Sequence, residues 1–381
     1  MKAEQAVPYS PTAHLRVMQI TDSLHAAGRQ RVAVNLANLL KNHGYRSYLC
    51  TTRSDGPLES QVEENVGRLR LTRTRQFDVT ALSRIVAFIR EQQIQILHAH
   101  GASLFIAGVA SLFPPYPLVV WHDHYGRYGQ EERPTWLYRL GATRVRAVIT
   151  VSEALAEWAR SCLHVPAQRV WYLPNCIRDH GEDTKEVSGL PGVSGFRIIC
   201  VANFRPQKDH LTLLRAMALL VRRTPKAHLL LVGDSRDRSQ FVRIQKEIVQ
   251  QKLHPHVSLL GVRRDVPAIL NACDVGVLSS ISEGFPLTLL EYGRAGLPVV
   301  ATSVGQCAEI LDNGKAGLLV PPRSPVRLAD ALTRLLQGST RGAVFGEQLQ
   351  RRAKCLYASA QVIEQVCHIY GVLLKRSYGQ G

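Results

Sequence analysis

The sequence lacks any apolar run that is long enough to cross a membrane. Its longest largely apolar stretch, residues 104–113, ends at a pair of prolines, whereas a membrane-spanning helix needs about 20 apolar residues. Residues 1–10 also lack the cationic start and apolar core of a secretory signal. We therefore expect a cytoplasmic protein, and the 45% hydrophobic and 20% charged residues are typical of a globular fold.

The sequence also lacks two common metal-binding patterns. Its eight cysteines include no C-x-x-C pair, and no Asp-x-Asp motif is present to hold a metal ion. Several cysteines, among them Cys50, Cys200 and Cys273, lie within apolar stretches. Free, buried thiols in a reducing compartment are therefore expected, rather than disulfides or a zinc site.

The chain has few acidic residues for its number of basic ones. It contains 30 Asp and Glu against 47 Lys and Arg, a formal net charge of +17. The excess is spread over both halves of the chain, and no nucleic-acid-binding motif or basic helix accompanies it, so no nucleic-acid partner is expected. Phosphate-bearing substrates and an anionic membrane surface match the charge better. A biased genome composition is an alternative source of the arginines.

The chain contains two successive series of alternating apolar strands and amphipathic helices. This pattern predicts an α/β fold with two domains. The 381 residues are also many for a single core. The polar segment 179–195, rich in Gly and Pro, predicts a linker. The predicted units are residues 1–178, the linker 179–195, residues 196–356, and a C-terminal helix within residues 357–381. Strands are predicted at residues 15–21, 46–51, 94–98, 118–121, 147–151, 170–173, 196–201, 228–232, 274–278 and 296–301, with helices at 29–42, 236–252 and 359–374 among others.

Residues 282–291 carry the most informative pattern, two glutamates in an E-x7-E spacing around Pro286. Pro286 suits the first turn of a helix, so Glu283 would lie in the loop before this helix and Glu291 on its second turn. The free N–H groups of such a turn attract an anion, while the two carboxylates would bind neutral hydroxyls beside it. The combination favours a sugar nucleotide. An amphipathic helix with two solvated glutamates is the alternative.

The segment around this pattern resembles the donor domain of the retaining glycosyltransferases of family 4. The resemblance covers residues 261–321: a lead-in at 261–266 (GVRRDV), the E-x7-E segment, Gly305 with Glu309, and the closing stretch 314–321 (GKAGLLVP). It extends more weakly over the rest of the chain. It implies the GT-B architecture, in which two Rossmann-like domains face each other across a cleft and the last helix crosses back to the first domain.

Arg205 and Lys208 follow the first predicted strand of the second half, so both side chains would reach the same cleft. A fixed cationic pair there can neutralise a diphosphate and stabilise the charge that develops on it as the sugar leaves. The pair resembles the arginine and lysine that family 4 enzymes place on the donor diphosphate. Two solvated cations at an ordinary helix start are the alternative.

The resemblance also implies roles for other residues. Glu283 would contact the sugar hydroxyls, Glu291 the ribose, and the backbone of residues 261–263 the base. The predicted catalytic residues are Arg205, Lys208, Glu283 and His122. The predicted donor-binding residues are Gly28, Val262, Arg263, Gly284, Phe285, Pro286, Leu287 and Glu291.

The loop after the first predicted strand departs from the family pattern. Members commonly have a double glycine here, which lets the backbone approach the donor phosphates. This chain has Gly28 but carries Ala27 in the other position, which predicts a smaller or rotated opening. Gln30 stands where a glutamate is common, so an acceptor contact by that residue is in doubt.

Histidines end two predicted strands of the first half, His98 with His100 and His122 with His124. Strand ends that face a cleft are suitable places for groups that bind hydroxyls. By resemblance, His122 is expected near the transferred sugar, and His100 and His124 near the acceptor, whereas His98 is expected to point into the core. A metal site on these histidines is only weakly indicated, and the family requires no metal.

Residues 125–146 are rich in aromatic and arginine side chains, a composition that suits a membrane interface or a lipid-diphosphate acceptor. The alternative is a helix that packs on the sheet through Trp136, Leu137 and Leu140, with solvated arginines outside.

These features predict an enzyme that transfers a hexose, with retention, from a nucleotide-diphosphate sugar to a saccharide or lipid-linked saccharide. No metal or other cofactor is expected. The expected setting is cell-surface polysaccharide or lipopolysaccharide biosynthesis, in the cytoplasm or at the inner face of the membrane. Two alternatives remain: a sugar-nucleotide epimerase of GT-B-like fold, and a non-catalytic protein that binds sugar nucleotides.

Overall fold

The computed structural model describes residues 15–126, 133–177, 187–338 and 340–378. In these residues the first half of the chain forms one parallel sheet, and helices connect most of its successive strands. The strands are β1 (Arg16–Ser23), β2 (Arg46–Ser54), β3 (Gly67–Arg70), β4 (Ile96–His100), β5 (Leu118–Asp123), β6 (Val145–Thr150) and β7 (Val170–Tyr172). The helices are α1 (Gly28–Asn42), α2 (Val79–Glu91), α3 (Leu104–Ala110), α4 (Thr135–Ala142) and α5 (Glu153–Ser161). The strand order is β3-β2-β1-β4-β5-β6-β7.

The second half repeats this pattern with a second parallel sheet. Its strands are β8 (Arg197–Val201), β9 (His228–Val232), β10 (Val257–Gly261), β11 (Val275–Leu278), β12 (Val299–Thr302) and β13 (Leu318–Val320). Its helices are α6 (His210–Leu220), α7 (Arg238–Gln250), α8 (Val266–Asn271), α9 (Leu287–Arg294), α10 (Cys307–Ile310), α11 (Pro325–Leu336) and α12 (Thr340–Leu356), followed by α13 (Ser359–Tyr378). The order is β10-β9-β8-β11-β12-β13.

Every strand predicted from an apolar run is present, with its bounds shifted by a few residues. Three strands were not predicted, β3, β10 and β13, and each lies at an edge of its sheet. Edge strands are covered on fewer sides, so they need fewer apolar residues and give a weaker pattern. Of the predicted linker, residues 187–195 contain neither helix nor strand; residues 178–186 lie outside the described residues.

Strand order reverses at one point in each sheet, between β1 and β4 and between β8 and β11. Open α/β sheets bind ligands beyond the carboxyl ends of the strands at such a reversal. The loops after β8 and β11 contain Arg205, Lys208 and Glu283, and β1 and β4 themselves carry Gln19 and His100. The topology therefore brings the predicted site residues of both halves to two reversal points.

The start of α9 is held above the second sheet by two side chains. The hydroxyl of Tyr292, a fully buried residue, accepts from the Val201 N–H at 2.9 Å and lies 3.2 Å from the carbonyl of Val277. Thr288 Oγ1 donates to the Val201 carbonyl at 3.1 Å. These bonds fix α9 at the ends of β8 and β11.

The C-terminal helix α13 packs against α1 and the first sheet. Its Tyr370 is fully buried, with the hydroxyl 2.6 Å from Nδ1 of His98 on β4. The ring of Tyr370 also contacts Tyr45 edge-on, at 6.4 Å between centroids. The helix that follows the second domain in sequence is therefore part of the first domain's core.

All eight cysteines are free in the structure, as expected from their spacing. Burial raises the pKa of Cys50, Cys200 and Cys273 to about 12, so these thiols remain protonated at neutral pH. In the part of the chain that the structure describes, no helix has both the length and the apolar composition needed to span a bilayer.

Candidate functional site

A cleft of about 980 Å³ separates the two sheets, near the upper end of the range for small-molecule sites. Its walls come from the loops at the carboxyl ends of the strands and from the starts of α1 and α9. Most predicted site residues line it: Gly28, His124, Arg205, Lys208, Val262, Arg263, Glu283, Gly284, Phe285, Pro286, Leu287 and Glu291.

Lys208 and Glu283 form an ion pair at the strand reversal of the second sheet. Nζ of Lys208 lies 2.6 Å from Oε1 of Glu283, and Ser280 Oγ donates to the same oxygen at 2.5 Å. Ser279 Oγ in turn donates to the Lys208 carbonyl at 2.9 Å. The loop after β8 is thus tied to the loop after β11, and two of the predicted catalytic residues lie together.

Arg205 is exposed in the cleft, and the described residues provide it with no ion-pair partner. The other cations of the cleft are each paired with a carboxylate: Arg29 with Asp22, Arg31 with Glu291, Arg133 with Asp123, Lys208 with Glu283, Arg236 with Asp234 and Arg263 with Asp265. A guanidinium that is not already neutralised is well suited to bind an incoming anion.

Two helices begin at the cleft without a side-chain cap. Helix α9 begins at Leu287, with Pro286 as its N-cap residue, so the predicted placement of Pro286 within the first turn is wrong by one position. Its φ of −76° and ψ of 103° are extended, because Pro286 ends the loop rather than opening the helix. Helix α1 begins at Gly28 after Ala27, which has no side chain able to cap it. Uncapped first turns present N–H groups and the positive end of the helix dipole to a ligand.

Glu291 is bound across the cleft by Arg31 of α1 in a short salt bridge. A second bond between the halves runs nearby, from Asn203 Nδ2 to the Ala26 carbonyl at 2.7 Å. Sequence reasoning identified Glu291 but missed Arg31. The only feature of the sequence that could have indicated Arg31 is its position, one turn into a helix whose start faces the cleft.

Gly28 begins α1 directly after Ala27 and lies opposite the start of α9. A Cβ on Gly28 would lie 3.8 Å from Leu287 Cδ1, an ordinary contact, so the starts of α1 and α9 face each other closely. Gln30 is 6% exposed and donates from Nε2 to Asp22 Oδ1 at 2.8 Å. Gln30 therefore lies at the cleft wall with its amide nitrogen engaged by Asp22, which also lines the cleft.

Val262 and Arg263 follow β10 at the far side of the cleft from the first sheet's strands. Gly261 has a φ of +66°, which turns the chain there, and its carbonyl accepts from the Gly233 N–H at 2.9 Å. Arg263 donates to both carboxylate oxygens of Asp265, at 2.8 and 2.5 Å. Its guanidinium is thus engaged by Asp265, and a contact of the backbone at residues 261–263 with the base stays a prediction.

The histidines are placed differently from the prediction. His122 and His100 are 2% and 1% exposed and are not part of the cleft wall; of the four, His124 lines it. His122 and His100 therefore lie behind the cleft wall in this structure, and their direct contact with a ligand stays a prediction. The physical reason is that β4 and β5 are central strands covered on both faces, so their final side chains can point into the protein. His98 is buried, as expected.

Burial lowers the pKa of all four histidines. For His98 the pKa falls to about 3. For His100, His122 and His124 the pKa falls well below the ordinary range, and repulsion from the protonated forms of neighbouring histidines lowers it further. The rings are therefore neutral at physiological pH. Three of them, His98, His100 and His122, have ring nitrogens within 4.8 Å of one another, a spacing that could hold a metal ion.

Arg133 and Asp123 form a buried ion pair at the first sheet's side of the cleft. The two side chains are 6% and 3% exposed and approach to 2.8 Å. The guanidinium lies over the rings of Trp158 at 3.7 Å and Tyr125 at 4.3 Å. Burial raises the pKa of Asp123, and Arg133 opposes that shift. The pair was not predicted, because nothing in the spacing of these residues indicates that they meet.

Helix α4 does not pack on the sheet in the way the alternative interpretation required. Trp136 is 71% exposed and Leu140 is 64% exposed, so that interpretation is wrong for these two side chains. The C-terminal end of α3 and the turn after it expose Leu112, Phe113 and Tyr116 on the same domain. Part of the predicted aromatic and basic stretch, residues 127–132, lies outside the described residues.

Two family models match the chain, one for each half. The model described as "Glycosyltransferase Family 4" matches residues 26–180, and the model described as "Glycosyl transferases group 1" matches residues 195–338. Together they span every strand of the two sheets except β1, and every cleft residue discussed above except Asp22. The chain belongs to the family 4 glycosyltransferases.

Known proteins similar to this glycosyltransferase agree with the family. It is 25% identical to the UDP-Gal:alpha-D-GlcNAc-diphosphoundecaprenol alpha-1,3-galactosyltransferase of Escherichia coli over 347 residues, 85% of this chain and 87% of that one. It is 28% identical over 256 residues to the exopolysaccharide phosphotransferase SCO2592 of Streptomyces coelicolor, covering 65% of this chain but 26% of that relative. The chain therefore spans about a quarter of the latter protein.

The fold of the glycosyltransferase is also that of solved structures. Anabaena Alr3699/HepE in complex with UDP-glucose superposes with a TM-score of 0.81 at 18% identity, over 94% of this chain and all of that one. This likeness confirms the predicted architecture of two α/β domains in the GT-B arrangement. The two relatives from Escherichia coli and Streptomyces coelicolor are transferases by name, and neither favours the epimerase alternative.

Proposed function

We propose that this glycosyltransferase moves a hexose from a nucleotide-diphosphate sugar to a saccharide or lipid-linked saccharide, with retention and without a metal ion. One observation carries the proposal: Arg205, which has no ion-pair partner among the described residues, lines the same cleft as the Lys208 ammonium and the uncapped start of α9, at the strand reversal of the second sheet. Such a group can bind a diphosphate and stabilise the charge that it gains as the sugar leaves.

The two glutamates of the E-x7-E pattern would serve the parts of the donor on either side of the diphosphate. Glu291 would release Arg31 and accept from the ribose hydroxyls, while Glu283, held by Lys208 and Ser280, would accept from the hexose hydroxyls. The backbone at Val262 and Arg263 would contact the base. A UDP-hexose is the first donor to test, because UDP-glucose and UDP-Gal are named for the similar proteins.

The arrangement of carboxylates supports a metal-independent reaction. Among the described cleft residues, Asp22, Asp123, Asp234, Glu283 and Glu291 are each paired with a cation. Asp237 accepts from Ser239 and Gln240 at the start of α7. A divalent ion bridging a diphosphate needs carboxylates that are free to bind it. Here the cations of the protein can take that role.

Retention would follow from attack by the acceptor hydroxyl on the face from which the diphosphate leaves. No side chain of the described cleft is placed as an activated nucleophile, since Glu283 is engaged by Lys208 and Ser280. The leaving phosphate would accept the proton of the attacking hydroxyl. The protein then contributes positioning and charge stabilisation.

The proposal is tested by incubating the purified protein with a panel of nucleotide-diphosphate hexoses and following release of the nucleoside diphosphate, with and without EDTA. We expect slow hydrolysis of one donor, unchanged by EDTA. Formation of an epimeric sugar nucleotide from the donor alone would favour the epimerase, and binding without any turnover would favour the non-catalytic alternative. Loss of turnover with EDTA would contradict metal independence.

We also propose that the first domain docks on an anionic membrane surface, where a lipid-linked acceptor would be found. Support comes from the exposed aromatic and apolar side chains Trp136, Leu140 and Tyr116, with the exposed Arg144 and Arg146 close to Tyr116. Aromatic and basic groups together suit the lipid interface, and each Arg contributes about 1 kcal/mol near an anionic leaflet, screened by salt.

Cosedimentation with phosphatidylserine vesicles tests the docking surface. The wild type should bind at low salt, lose binding as salt rises, and ignore neutral vesicles. Replacing Trp136 with Ser together with Arg144→Gln and Arg146→Gln should abolish binding. The matched control, Val249→Ser with Arg238→Gln on α7, should bind like the wild type. Arg139 is left unchanged, because it donates to the Cys162 carbonyl at 2.8 Å and so supports the local fold. Binding that survives the triple substitution would contradict the proposed surface.

A further inference from the structure

Three buried histidines, His98, His100 and His122, and the half-buried His124 form one hydrogen-bonded network with Gln19 of β1 and Tyr370 of α13. Gln19 is fully buried within the first sheet. Both its amide nitrogen and its amide oxygen form hydrogen bonds. The bonds are Gln19 Nε2 to the Tyr370 hydroxyl (3.3 Å), Tyr370 hydroxyl with His98 Nδ1 (2.6 Å), His98 Nε2 with His122 Nδ1 (3.2 Å), His100 Nε2 with Gln19 Oε1 (2.8 Å) and His100 Nδ1 with His124 Nε2 (2.9 Å).

The amide oxygen of Gln19 fixes the direction of one branch. An amide oxygen only accepts, so Nε2 of His100 carries the proton and donates to it. Because a neutral imidazole has one N–H, Nδ1 of His100 is a lone pair and must accept from Nε2 of His124. Nδ1 of His124 is then the unprotonated nitrogen of that ring.

The amide nitrogen of Gln19 fixes the other branch. It donates to the Tyr370 hydroxyl, whose own proton goes to Nδ1 of His98, at the short distance typical of an O–H donor. Nε2 of His98 is therefore protonated and donates to Nδ1 of His122, which leaves Nε2 of His122 protonated. All four rings are thus assigned the same Nε2–H tautomer.

This tautomer assignment also explains the close spacing of the ring nitrogens of His98, His100 and His122 without a bound metal ion. A metal ligand must offer a lone pair. The Nδ1 lone pairs of His98, His100 and His122 already accept from Tyr370, His124 and His98 respectively. The close spacing of the ring nitrogens is what mutual hydrogen bonding requires.

Two buried ring nitrogens are left without a hydrogen-bond partner among the described residues, Nε2 of His122 and Nδ1 of His124. Their rings stack at 4.0 Å between centroids. By the assignment above, the first is a donor and the second an acceptor. One hydroxyl group, which accepts one hydrogen bond and donates one, has the chemistry to satisfy both.

We propose that Gln19 and Tyr370 are positioning residues. Gln19 fixes the tautomers of His100 and His124, so that His124 accepts a hydrogen bond from a sugar hydroxyl at the cleft wall, and Tyr370 fixes the tautomers of His98 and His122. The identity of this ligand rests on the proposed function; the tautomers do not. Through Tyr370, the C-terminal helix supports the two histidines His98 and His122 behind that wall. Neither residue touches the substrate, so each acts through the histidines.

The tautomers are measured directly on the full-length protein labelled with 15N-histidine. Long-range 1H–15N correlation spectra distinguish Nε2–H from Nδ1–H rings, and the His124→Asn variant assigns the His124 signals. We expect His124 to be neutral and Nε2–H in the wild type. In Gln19→Leu, His100 loses its acceptor, and we expect His124 to change to Nδ1–H or to a mixture. In Tyr370→Phe, the His98 and His122 signals should change while His124 keeps its tautomer.

Activity supplies the second readout. Gln19→Leu should lower kcat/KM for the acceptor by about tenfold, the value of one hydrogen bond, with donor hydrolysis nearly unchanged. Tyr45→Phe is the control, since it removes the hydroxyl of a neighbouring ring that bonds Cys367 instead; its tautomers and activity should match the wild type.

The outcomes separate the two proposals. A wild-type His124 in the Nδ1–H form, or tautomers that do not respond to Gln19→Leu, would overturn the positioning roles whatever the activity. The expected tautomers in a protein that turns over no nucleotide sugar would leave the network intact and remove the proposed function. Correct tautomers with full acceptor kinetics in both His124→Asn and Gln19→Leu would overturn the hydroxyl contact.

Discussion

Individual charged residues of the cleft differ in how strongly the protein already engages them. Lys208, Glu283 and Glu291 were predicted as ligand contacts, and each is held by an ion pair in this structure. Arg205 is held by none within the described residues. At this scale the sequence could indicate which residue types reach the cleft, but not their pairing, because the partners Arg31 and Glu291 are separated by most of the chain.

Arg205→Gln should lower turnover by about 10² to 10³-fold, because it removes one contact that stabilises the charge on the leaving diphosphate, a loss of about 2.7–4 kcal/mol of barrier stabilisation. The unfolding midpoint should not change, since Arg205 is exposed and unpaired among the described residues. Steady-state kinetics and urea denaturation measure both. Arg223→Gln, which removes an exposed pair with Asp330, is the control and should keep full turnover. Near-normal turnover in Arg205→Gln would remove this residue from the site.

Glu291→Gln should weaken nucleoside diphosphate binding by at least tenfold. It keeps the shape of the side chain but loses a charged hydrogen bond to the ribose, worth about 1.5–3 kcal/mol. Isothermal titration calorimetry measures the affinity. Glu247→Gln, which breaks a pair with Arg215 on the far helices α6 and α7, should bind normally. Equal affinities for the two variants would mean that Glu291 serves only as a partner of Arg31.

At the scale of elements, the loop that carries Glu283 is shaped by a second loop packed against it. Gly305 follows β12 with a φ of +50°, and a Cβ there would lie 2.1 Å from the Glu283 carbonyl oxygen. The next residue, Gln306, donates its N–H to the Gly284 carbonyl at 3.1 Å. The glycine therefore permits the contact that sets the backbone around Glu283.

Gly305→Ala should lower both stability and turnover, because the added methyl group must displace the backbone at Glu283. Gly314→Ala is the control: its φ of +94° is also strained for alanine, but no atom lies within 4 Å of the added Cβ. Backbone strain alone costs about 1–3 kcal/mol, so both variants should be less stable. Only Gly305→Ala should lose turnover measured well below the unfolding transition. Equal turnover in the two variants would contradict the role of this contact.

The elements that sequence patterns predicted are the ones whose burial is strongest. The central strands and α13 follow from apolar runs and helical spacing, whereas β3, β10 and β13 were missed because edge strands are partly exposed. The same burial is the reason that the sequence could not show His100 and His122 to lie behind the cleft wall. In a strand that is covered on both faces, alternation does not reveal which side chains face the cleft.

At the scale of the whole molecule, the two domains are joined by polar contacts around the cleft as well as by α13. Besides Arg31 with Glu291, the Tyr172 hydroxyl donates to Glu309 at 2.6 Å, and Ser282 donates to the Gly126 carbonyl in a short bond. The buried histidines add a dependence on protons to this assembly, because their pKa values are lowered in the folded protein but not in the unfolded chain.

Stability should fall as the pH drops below about 6.5, the ordinary histidine pKa. The folded-state pKa values are lowered by burial, to about 3 for His98, so the unfolded chain binds more protons in this range. Each buried ring then contributes about 1.4 kcal/mol of lost stability per pH unit, and the loss continues toward the folded pKa. Urea denaturation between pH 7.5 and 5.5 measures this. His98→Asn should reduce the slope, whereas the exposed His43→Asn should not. A stability that is constant over this range would contradict neutral buried rings.

The central claim is that the cleft transfers a sugar from a nucleotide diphosphate with retention, and it is tested most directly by the anomeric configuration of the first product. Time-resolved 1H NMR of the reaction with the donor that supports hydrolysis reports this configuration before mutarotation. The account predicts an α-anomer released from an α-linked donor, with the nucleoside diphosphate formed in equal amount. A β-anomer as the first product would contradict the account.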